Sequence, residues 1–514
     1  MASKGDYDAI IVGAGIGGLT TGCLLAKTGH KVLILEQHFK VGGFVTSYQR
    51  KHYPMDVVHA IGGLSKGAAI DRIFSFLNLY NRLRFNEIEK VFIYRFPECN
   101  IDCYTSIARY KDELKRHFPD QSSSVEQIFT EMSRVWQQVQ RSYYNPSLRQ
   151  LSLYPLQFPK LVKYQNWSFE KFLGEFTGDY RLKKVLSAGW GYNGLNMSRI
   201  SAIYMIGMLM SYHTGGAWYP RGGYQNLSNP LADIAIECGG EIKTKTAVEQ
   251  IIIDRGRAVG VRTRDGSEYY ARNIVSNADT KKTFLELVSE PHVPKRLRRK
   301  VAGYKQSVSG FVVHLVVDME IPEELSCGCI MYFPDYDTEE HQFKLWEQGK
   351  MELDPDSMGL GISVATLRDE GMVTDGKHVL DLIYMPAPYA CFKRASKDEY
   401  LRLKEEISRK MVKAAEKVIP ELADHIVVRD ISTPLTYERY TGATEGGWYD
   451  IDCSPRQANL GRIRNKTPIN GLYLTGAKTY PGSGMFGSIQ AGLFTADSIL
   501  NGRLTRGRNL LVYG

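Results

Sequence analysis

Three glycines near the start of the sequence, Gly13, Gly15 and Gly18, have a spacing that suits the binding of phosphate. In this Gly-x-Gly-x-x-Gly pattern the first glycine permits a tight turn, the second lets the backbone approach a pyrophosphate, and the third lets a helix pack closely on a strand. Glu36 lies 18 residues beyond the last glycine and can accept hydrogen bonds from the hydroxyls of a ribose. Together these residues predict a dinucleotide site.

The segments around the glycines have the order that such a site requires. Asp8–Val12 predicts a short strand, Leu19–Gly29 a helix that ends in glycine, and Lys31–Leu35 a second strand. In this βαβ unit the N-terminus of the helix faces the phosphates. A carboxylate at Glu36 would repel an additional 2′-phosphate, which favours FAD or NAD over NADP.

A second glycine-rich stretch, Tyr480–Gly492, lies close to the other end of the sequence. It repeats the same spacing at Gly482, Gly484 and Gly487. Asn470–Ala477 predicts a short strand before it, and Met485–Leu500 predicts a helix after it. This stretch therefore also has the strand, turn and helix order of a phosphate-binding unit.

The second stretch cannot form an independent dinucleotide domain. Such a domain would need another strand that ends in an acidic residue about twenty positions on. The sequence instead continues into Arg503–Gly514, which contains no carboxylate side chain. We therefore expect the second glycine loop to close over the ligand that the first one holds.

The composition is that of a large globular enzyme, with 514 residues, 43% hydrophobic and 24% charged, and no repeat of fixed period. The formal net charge is +9, and part of the excess lies in two basic clusters, Val293–Lys305 and Asn501–Asn509. We interpret these clusters either as solvated surface or as contacts for anionic lipid headgroups. No recognised nucleic-acid-binding module accompanies them.

The cysteines and the hydropathy pattern bear on location. The eight cysteines are dispersed without CxxC pairs, which indicates neither a metal site nor a disulfide framework. The sequence has no apolar run of about 18 residues, and we expect no signal peptide at its start. We expect a cytoplasmic protein without a membrane span, either free or peripheral on a membrane surface.

Three further motifs carry a resemblance to a known family. The pair Gly42-Gly43, followed by Thr46, comes soon after Glu36 in a stretch rich in glycine and aromatic residues, where an NAD domain would proceed to another helix. Trp218–Asp279 begins with a YPxGG segment, and the second loop reads PGSGMFG. In these motifs the sequence resembles the FAD-dependent family of phytoene desaturases, carotenoid isomerases and retinol saturases, which is related more distantly to amine oxidases.

The resemblance implies an α/β fold with FAD as cofactor. Its FAD-binding domain is discontinuous and Rossmann-like, of the glutathione reductase and p-hydroxybenzoate hydroxylase type, and carries an inserted α+β substrate domain. We expect residues 1–95, 222–300 and 425–514 to form the FAD-binding domain. Residues 96–221 and 301–424 would form the substrate domain, with an edge that contacts a membrane.

The glycine loops and the resemblance together predict the cofactor-binding residues. In the family, the backbone at the position of Val248 contacts the adenine, and the second loop lies against the isoalloxazine and ribityl chain. The predicted residues are Gly13, Ala14, Gly15, Ile16, Gly17, Gly18, Glu36, Gln37, Gly42, Gly43, Thr46, Val248, Gly476, Ala477, Gly484, Met485 and Phe486.

Two apolar segments favour a long apolar substrate. Leu151–Tyr164 contains Pro155 and Pro159, which we expect to break a helix, and carries two lysines, as the edge of a membrane-dipping protein does. Ser201–Tyr212 is apolar on nearly all sides and rich in methionine, which is typical of a buried helix beside a flexible hydrocarbon. Ordinary interior packing is the alternative for both segments.

The inserted regions contain further predictable elements. Ser124 and Gln127 form a capping-box pattern before a helix whose apolar face we interpret as plain core, and Ser396 and Glu399 form another. Strands are predicted over residues 310–317 and 378–385, and Asp265-Gly266 indicates a hairpin turn.

Candidate catalytic residues are few. Flavin chemistry needs hydride transfer and at most one proton donor, so a nucleophile is not required. The sequence shows no HExxH and no Ser-His-Asp grouping that suggests a catalytic triad. His59 is the histidine nearest in sequence to the expected flavin and is our predicted proton carrier, with a purely structural role as the alternative. Tyr480, just before the second loop, is no stronger a candidate.

The leading hypothesis is an FAD enzyme that acts on carbon–carbon double bonds of a hydrophobic polyene or isoprenoid lipid. Desaturation, saturation and isomerisation remain open. An FAD-dependent amine or amino acid oxidase is the enzymatic alternative. A binding protein of the Rab GDP-dissociation inhibitor type, which handles a prenylated protein without flavin, is the non-enzymatic one, and the intact glycine and Glu36 pattern argues against it.

Overall fold

The computed structural model describes residues 6–142, 148–373 and 375–505. The strands, in chain order, are β1 (Tyr7–Val12), β2 (Val32–Leu35), β3 (Ser47–Arg50), β4 (Tyr53–Asp56), β5 (Ile61–Gly62), β6 (Phe85–Ile88), β7 (Lys90–Arg95), β8 (Asn100–Tyr104), β9 (Ala217–Pro220), β10 (Glu241–Lys243), β11 (Val248–Asp254), β12 (Arg257–Thr263), β13 (Glu268–Ser276), β14 (Ser309–Val317), β15 (Cys329–Tyr332), β16 (Leu360–Val364), β17 (His378–Ala387), β18 (Ile426–Ser432) and β19 (Leu472–Leu474).

The α-helices connect and cover these strands. In chain order they are α1 (Ile16–Lys27), α2 (Ala69–Leu77), α3 (Ile107–His117), α4 (Ser122–Arg141), α5 (Leu148–Gln157), α6 (Pro159–Tyr164), α7 (Phe169–Leu173), α8 (Tyr180–Ser187), α9 (Ala202–Gly215), α10 (Gln225–Glu237), α11 (Lys295–Ala302), α12 (Thr338–Glu347), α13 (Tyr389–Lys393), α14 (Lys397–Ala415), α15 (Pro434–Thr441) and α16 (Gly484–Ile499).

The first sheet has the order β10-β2-β1-β13, with β19 also beside β13, and all of these strands run parallel. β12 pairs antiparallel with β13 through the predicted hairpin turn at Gly266, and β11 pairs antiparallel with β12. Side chains of β1 and β2 are buried on both faces, as in other parallel sheets. On one face α1 packs against α10 and α16. The predicted βαβ unit is confirmed, with its helix beginning at Ile16 rather than Leu19 because the glycines form its first turn.

The second sheet has the order β18-β14-β17-β16-β15-β7-β8. Alternate residues of β14 face opposite sides: Phe311 and Val313 join the core formed with α14, whereas Val312 packs into the main core toward the first sheet. The expected strands over 310–317 and 378–385 are confirmed as β14 and β17. β7 pairs with β15 and β18 pairs with β14, so both strands belong to this second sheet. From the sequence we assigned both to the FAD-binding domain, whose expected boundaries lie beside them at residues 95 and 425. The division into two domains stays a prediction.

The capping predictions had different outcomes. At Ser396 the predicted capping box is confirmed, since the hydroxyl accepts from the Glu399 N–H and the Glu399 carboxylate accepts from the Ser396 N–H. The box at Ser124 and Gln127 was wrong. α4 begins two residues earlier, at Ser122, because a short turn over Pro119–Gln121 already starts the helical path.

The segment 148–164 also differs from its prediction. Pro155 lies inside α5, so only Pro159 marks a break, at the first turn of α6. Proline is tolerated at a first helical turn because the N–H it lacks has no helical partner there. Among the described residues, no helix is both long enough and apolar enough to cross a membrane.

Some sequence-based statements concern residues outside the described ranges. The start of the chain, residues 1–5, lies outside them. Most of the carboxylate-free segment Arg503–Gly514 and part of the basic cluster Asn501–Asn509 do so as well. The other basic cluster, Val293–Lys305, contains α11, whose Leu297 and Val301 are buried.

Candidate functional site

Four parallel strands of the first sheet end at the same edge. β1 leads into Gly13, β2 into Glu36, β13 into Asn277 and β19 into Thr475. Backbone hydrogen bonds continue across these ends: Gly13 N–H donates to Leu35 O at 2.8 Å, Asn277 N–H to Val12 O at 2.8 Å, and Thr475 N–H to Ser276 O at 3.0 Å. Ligands of open parallel sheets bind outside the carboxyl ends of the strands. The candidate site is therefore built at this edge.

The first glycine loop touches the end of β19, which leads into the second glycine loop. A Cβ added at Gly17 would lie 2.6 Å from Gly476 Cα and 2.8 Å from Gly476 N, so the two backbones approach more closely than any other residue type would allow. Thr475 Oγ1 donates to Gly17 O at 3.3 Å and lies 3.0 Å from Thr21 Oγ1. These contacts place the strand before the second glycine loop beside the first loop, and the closing of both loops over one ligand stays a prediction.

A third loop closes on the first one from the other side. Gly42 N–H donates to Ala14 O at 2.8 Å, and Gly42 and Gly15 form an isolated parallel bridge. Gly43 has φ of 61° and faces Gly15, with 3.2 Å between an added Cβ and Gly15 Cα. A left-handed backbone at this close approach explains why glycine stands here.

Glu36 lies at the centre of this cradle and is only 8% exposed. Its Oε2 accepts from the Ala14 N–H at 2.7 Å, and its Oε1 accepts from the His38 N–H at 2.8 Å. Burial raises the pKa of Glu36, and these backbone hydrogen bonds oppose that effect. The carboxylate is held in place by the loop whose ligand it would contact.

A cavity of about 1430 Å³ opens from this cradle. Pockets for a single small ligand usually measure roughly 300–1,000 Å³, so this cavity has room for two ligands side by side. Its wall includes these predicted cofactor residues: Gly13, Gly15, Ile16, Gly17, Glu36, Gln37, Gly42, Gly43, Thr46, Val248, Gly476, Ala477, Gly484, Met485 and Phe486. Ala14 and Gly18 lie outside the wall. The Ala14 N–H donates to the Glu36 carboxylate, and a Cβ at Gly18 would collide with Gly13 O.

The far part of the cavity is largely apolar. It lies between α9, α4 and the face of the second sheet that carries Val312. Its apolar lining includes Trp136, Val139, Ile203, Met208, Tyr212, Met331, Phe333, Ile383 and Met385. Our reading of the α4 face as plain core was thus incomplete, because Trp136 and Val139 contact the cavity. The expected apolar helix over 201–212 is α9, buried along most of its length.

His59 lies in the cavity wall between β4 and β5, and its side chain is 11% exposed. Its Nε2 is 3.1 Å from Asp381 Oδ2. Burial would raise the pKa of Asp381, but hydrogen bonds and positive charge from His314 and His59 lower it to about 2. Tyr480 also lines the cavity, with its hydroxyl 2.8 Å from Ser142 Oγ.

Several residues at the site were missed from the sequence. Asn277 packs between the glycine loops: its Nδ2 would lie 2.8 Å from a Cβ at Gly15, and its Oδ1 equally blocks one at Gly476. Its position directly after a strand was the available signal. Asp381 and His314 were not predicted either, although a polar residue inside an otherwise apolar strand is a signal of function or of a buried partner.

Tyr204 and Lys478 are two further missed residues. The Tyr204 hydroxyl is 3.0 Å from Ser483 O and 2.7 Å from Ser483 Oγ, which ties α9 to the second glycine loop. Lys478 is 3% exposed, lines the cavity and donates to Thr475 O at 3.0 Å. Burial lowers the pKa of Lys478 to about 8, with Asp450 and Asp279 acting in the opposite direction. No sequence pattern pointed to either side chain.

The described residues fit FAD. The N-cap residues of α1 and α16, Gly15 and Ser483, make no side-chain cap bond, so the N–H groups of both first turns remain available to anionic groups. The glycine cradle excludes side chains where a pyrophosphate would approach, and Glu36 supplies an acceptor for a ribose diol. A dinucleotide with a large second ring system suits a cavity of this size.

Known proteins resemble this chain over nearly its whole length. Prolycopene isomerase (chloroplastic) of Arabidopsis thaliana is 26% identical over 506 residues, which are 96% of this chain and 82% of that protein. All-trans-retinol 13,14-reductase of Danio rerio is 27% identical over 531 residues, covering 97% of this chain and 87% of that protein. These relatives confirm the resemblance that the motifs indicated.

Solved structures show the same fold. A putrescine oxidase double mutant superimposes with a TM-score of 0.67 at 16% identity, covering 96% of this chain and 99% of that chain. Cyclohexylamine oxidase from Brevibacterium oxydans gives a TM-score of 0.63 at 16% identity, covering 98% and 100%. The predicted α/β fold class is confirmed.

The sequence model of the family described as "Flavin containing amine oxidoreductase" matches residues 16–500. The expected cofactor, FAD, and the expected enzyme class, an oxidoreductase, are confirmed by this match. The chain belongs to the flavin containing amine oxidoreductase family.

Proposed function

We propose that this enzyme uses FAD to act on carbon–carbon double bonds of a hydrophobic polyene, by desaturation, saturation or cis–trans isomerisation. The observation that carries the proposal is a single cavity in which both glycine loops meet an extended apolar wall. Prolycopene isomerase and all-trans-retinol 13,14-reductase are among its relatives, and their names describe reactions on polyenes.

The cofactor would occupy the cradle of the three loops. Glu36 would accept from the ribose diol, the first turn of α1 would face the pyrophosphate, and Val248 would lie at the adenine end. The first turn of α16 would stabilise negative charge on the reduced ring. When bound, FAD supplies hydride or electron exchange with the substrate.

The chain itself would bind, orient and shield the substrate. α9 and the second sheet offer flexible methionines, such as Met208 and Met385, that adapt to a bent hydrocarbon. Phe333 and Trp136 add flat apolar surface. Burial of apolar surface at about 25 cal/mol per Å² favours a long hydrocarbon over a small charged amine. His59 would be the group that gives or takes a proton at the substrate.

We also propose that the α5–α6 segment is the edge through which the protein contacts a membrane. Leu156 is 81% exposed and Val162 43% exposed, while Tyr154 and Leu161 of the same segment line the cavity. An apolar outer surface over a lipid-binding cavity is the arrangement expected of a peripheral protein that takes its substrate from a bilayer. The protein would then lie in the cytoplasm or peripherally on a membrane surface, with no nucleic acid as partner.

Paired charges flank this edge. Lys160 Nζ lies 2.6 Å from Glu131 Oε1, and Lys163 Nζ lies 2.8 Å from Glu175 Oε2. Membrane contact here would therefore depend more on the leucines than on lysine charge. Leu156→Asp should weaken flotation with neutral liposomes at least several-fold, whereas Leu401→Asp, at an exposed leucine of α14 that is 50% exposed, should not. Equal flotation of the two variants would refute the edge.

The central test is to purify the protein from its natural host, record its flavin spectrum and identify co-purified lipid by mass spectrometry. We expect a flavin spectrum and a polyene or other isoprenoid lipid, which the reduced or oxidised holoenzyme converts. Oxygen consumption with a panel of amines tests the amine oxidase alternative. Turnover of a water-soluble amine with peroxide formation, and none of any polyene, would refute the proposal.

A further inference from the structure

A row of polar side chains crosses the cavity-facing side of the second sheet. His314 of β14 stands directly opposite Asp381 of β17, and His314 Nδ1 is 2.6 Å from Asp381 Oδ1. The other oxygen of Asp381, Oδ2, is 3.1 Å from His59 Nε2. On its far side His314 Nε2 is 3.1 Å from Ser432 Oγ. One carboxylate thus bridges two imidazoles, one at the cavity and one behind it.

The fold explains why this row faces the cavity. Asp381 lies on the same face of β17 as Ile383 and Met385, which line the cavity. His314 and Asp381 are 2% and 5% exposed, so the row is buried in an otherwise apolar sheet. Buried polar groups of this kind are retained where every member has a partner. His59 alone among the three reaches the cavity.

The segment that holds His59 is itself fixed in place. Asp56, three residues earlier, accepts from the Ser47 hydroxyl at 2.5 Å and from the Tyr224 N–H at 3.1 Å. This pins the end of β4 against the start of α10. The strand end three residues before His59 is therefore held in place by these bonds.

The chemistry of a carboxylate fixes the state of the ring. Ionised Asp381 can only accept hydrogen bonds, so His59 must carry its proton on Nε2. Nδ1 then points away from Asp381, as an acceptor in the neutral ring and as a donor in the imidazolium. Orienting a histidine in this way, and stabilising its cation, is what a buried carboxylate does for a general acid–base catalyst.

We propose that Asp381 is the positioning residue of His59, and that His314, itself paired with Ser432, holds Asp381, so that His59 presents Nδ1 to the substrate cavity. This inference rests on the proposed function of His59. In the step it serves, the Nδ1–H bond of the imidazolium breaks, and the π electron pair of a polyene double bond forms the new C–H bond. Neutral imidazole with Nε2–H remains, and the cation left on the neighbouring carbon would be neutralised by the hydride that bound FAD supplies in its reduced form. In the reverse direction neutral Nδ1 takes a proton from carbon.

Neighbouring ionisable groups leave Asp381 as the charge that faces His59. Tyr48 of β3, Tyr437 of α15 and Cys329 of β15 all have pKa values raised by burial, so they stay neutral near pH 7. Asp430 of β18 lies on the other side of His314 and is paired with Arg50 of β3, whose Nε is 2.8 Å from Asp430 Oδ2. Its charge is therefore compensated.

The first readout does not depend on any substrate. In FAD-loaded protein with ¹⁵N-labelled histidine, we expect ring nitrogen shifts that show the Nε2–H tautomer at His59. Asp381→Asn should abolish that preference. Asp318→Asn is the matched control, because Asp318 pairs with His425 at the same 3.1 Å but on the surface, and it should leave the signals of His59 unchanged. An unaltered tautomer in Asp381→Asn overturns the inference.

The second readout is turnover of the polyene. Removing a positioned general acid–base group lowers rates about 10²–10⁴-fold, and we expect both Asp381→Asn and His59→Gln to fall in this range while keeping their flavin spectrum. The double variant should be no slower than His59→Gln alone, because Asp381 acts through His59. Additive losses, or less than a tenfold loss in Asp381→Asn, overturn the inference.

A second pair of variants guards against misfolding of Asp381→Asn. His314→Gln keeps an N–H group toward Asp381, whereas His314→Leu removes it. If His314 holds Asp381, turnover should be at least about tenfold lower in His314→Leu than in His314→Gln. Equal turnover of the two variants overturns the part assigned to His314. If the wild-type enzyme converts no polyene, the proposed function fails, and the tautomer experiment still decides the inference.

Discussion

Replacing Gly17 by alanine tests whether the first glycine loop must contact Gly476, at the entry to the second glycine loop, to hold FAD. The added Cβ would lie 2.6 Å from Gly476 Cα, whereas ordinary contacts begin at 3.4 Å, so one backbone must move by at least 0.8 Å. The two closest atoms belong to the backbone of Gly476, and a shift of the third, Asn277 Oδ1 at 3.2 Å, would not relieve them. Gly17 has no left-handed φ and lies in the first turn of α1, where alanine is otherwise favourable.

The expected magnitude follows from this overlap. Forcing one extra methyl group into a well-packed site costs about 1–3 kcal/mol. Without FAD the loops can part and relieve the strain, but in the loaded enzyme both must reach the same ligand. The strain then appears as lost affinity, and 1–3 kcal/mol corresponds to a Kd about 5- to 150-fold higher.

The assay is a fluorescence titration of FAD into apoprotein, with the flavin spectrum as a check on the loaded state. Gly178→Ala is the matched control, since a Cβ there has nothing within 4 Å and the residue is exposed. Its Kd should equal that of the wild type. If Gly17→Ala binds FAD as tightly as this control, the contact between Gly17 and Gly476 plays no part in binding, and our account of how the two ends of the sequence hold FAD together is refuted.

Three further predictions concern the cofactor and the fold. Since burial raises the pKa of Glu36, FAD affinity should decline as the pH falls through this raised pKa, at a higher pH than for an exposed glutamate. Glu36→Gln should weaken FAD binding about tenfold or more and remove this pH dependence. Titrations of FAD from pH 8 to 5 measure both effects. Tyr204→Phe, which loses the hydroxyl contacts to Ser483, should lower stability by about 0.5–1.5 kcal/mol and release flavin faster on gel filtration; unchanged retention would count against this anchor. Lys184→Met leaves the buried carboxylate of Glu339, whose Oε1 lies 2.9 Å from Lys184 Nζ, without its partner. It should lower the free energy of unfolding in urea by about 3–5 kcal/mol, and the double variant Lys184→Met with Glu339→Leu should regain most of this loss. A loss below about 1 kcal/mol in the single variant would contradict the prediction.

Local structure near the glycine loops was predictable because backbone chemistry determines it. Gly13, Gly15 and Gly18 between two apolar strands admit one arrangement, and β1, α1 and β2 have it. The hairpin turn at Gly266 followed from its dipeptide in the same way. The start of α4 could not be predicted as well, because a turn outside the helix, at Pro119, determined where it began.

The sequence by itself determined the cofactor class and the βαβ unit, because the spacing of glycines and an acidic residue is a local constraint on backbone and phosphate. It also led us to expect that the second glycine loop closes over the first one's ligand, which stays a prediction. Only the tertiary structure decided which side chains share the cavity. His59, His314 and Asp381 are more than 60 residues from one another in sequence, and the pairing of β14 with β17 brings the last two together. Strand register and burial, which depend on the whole fold, are what bring those side chains into contact.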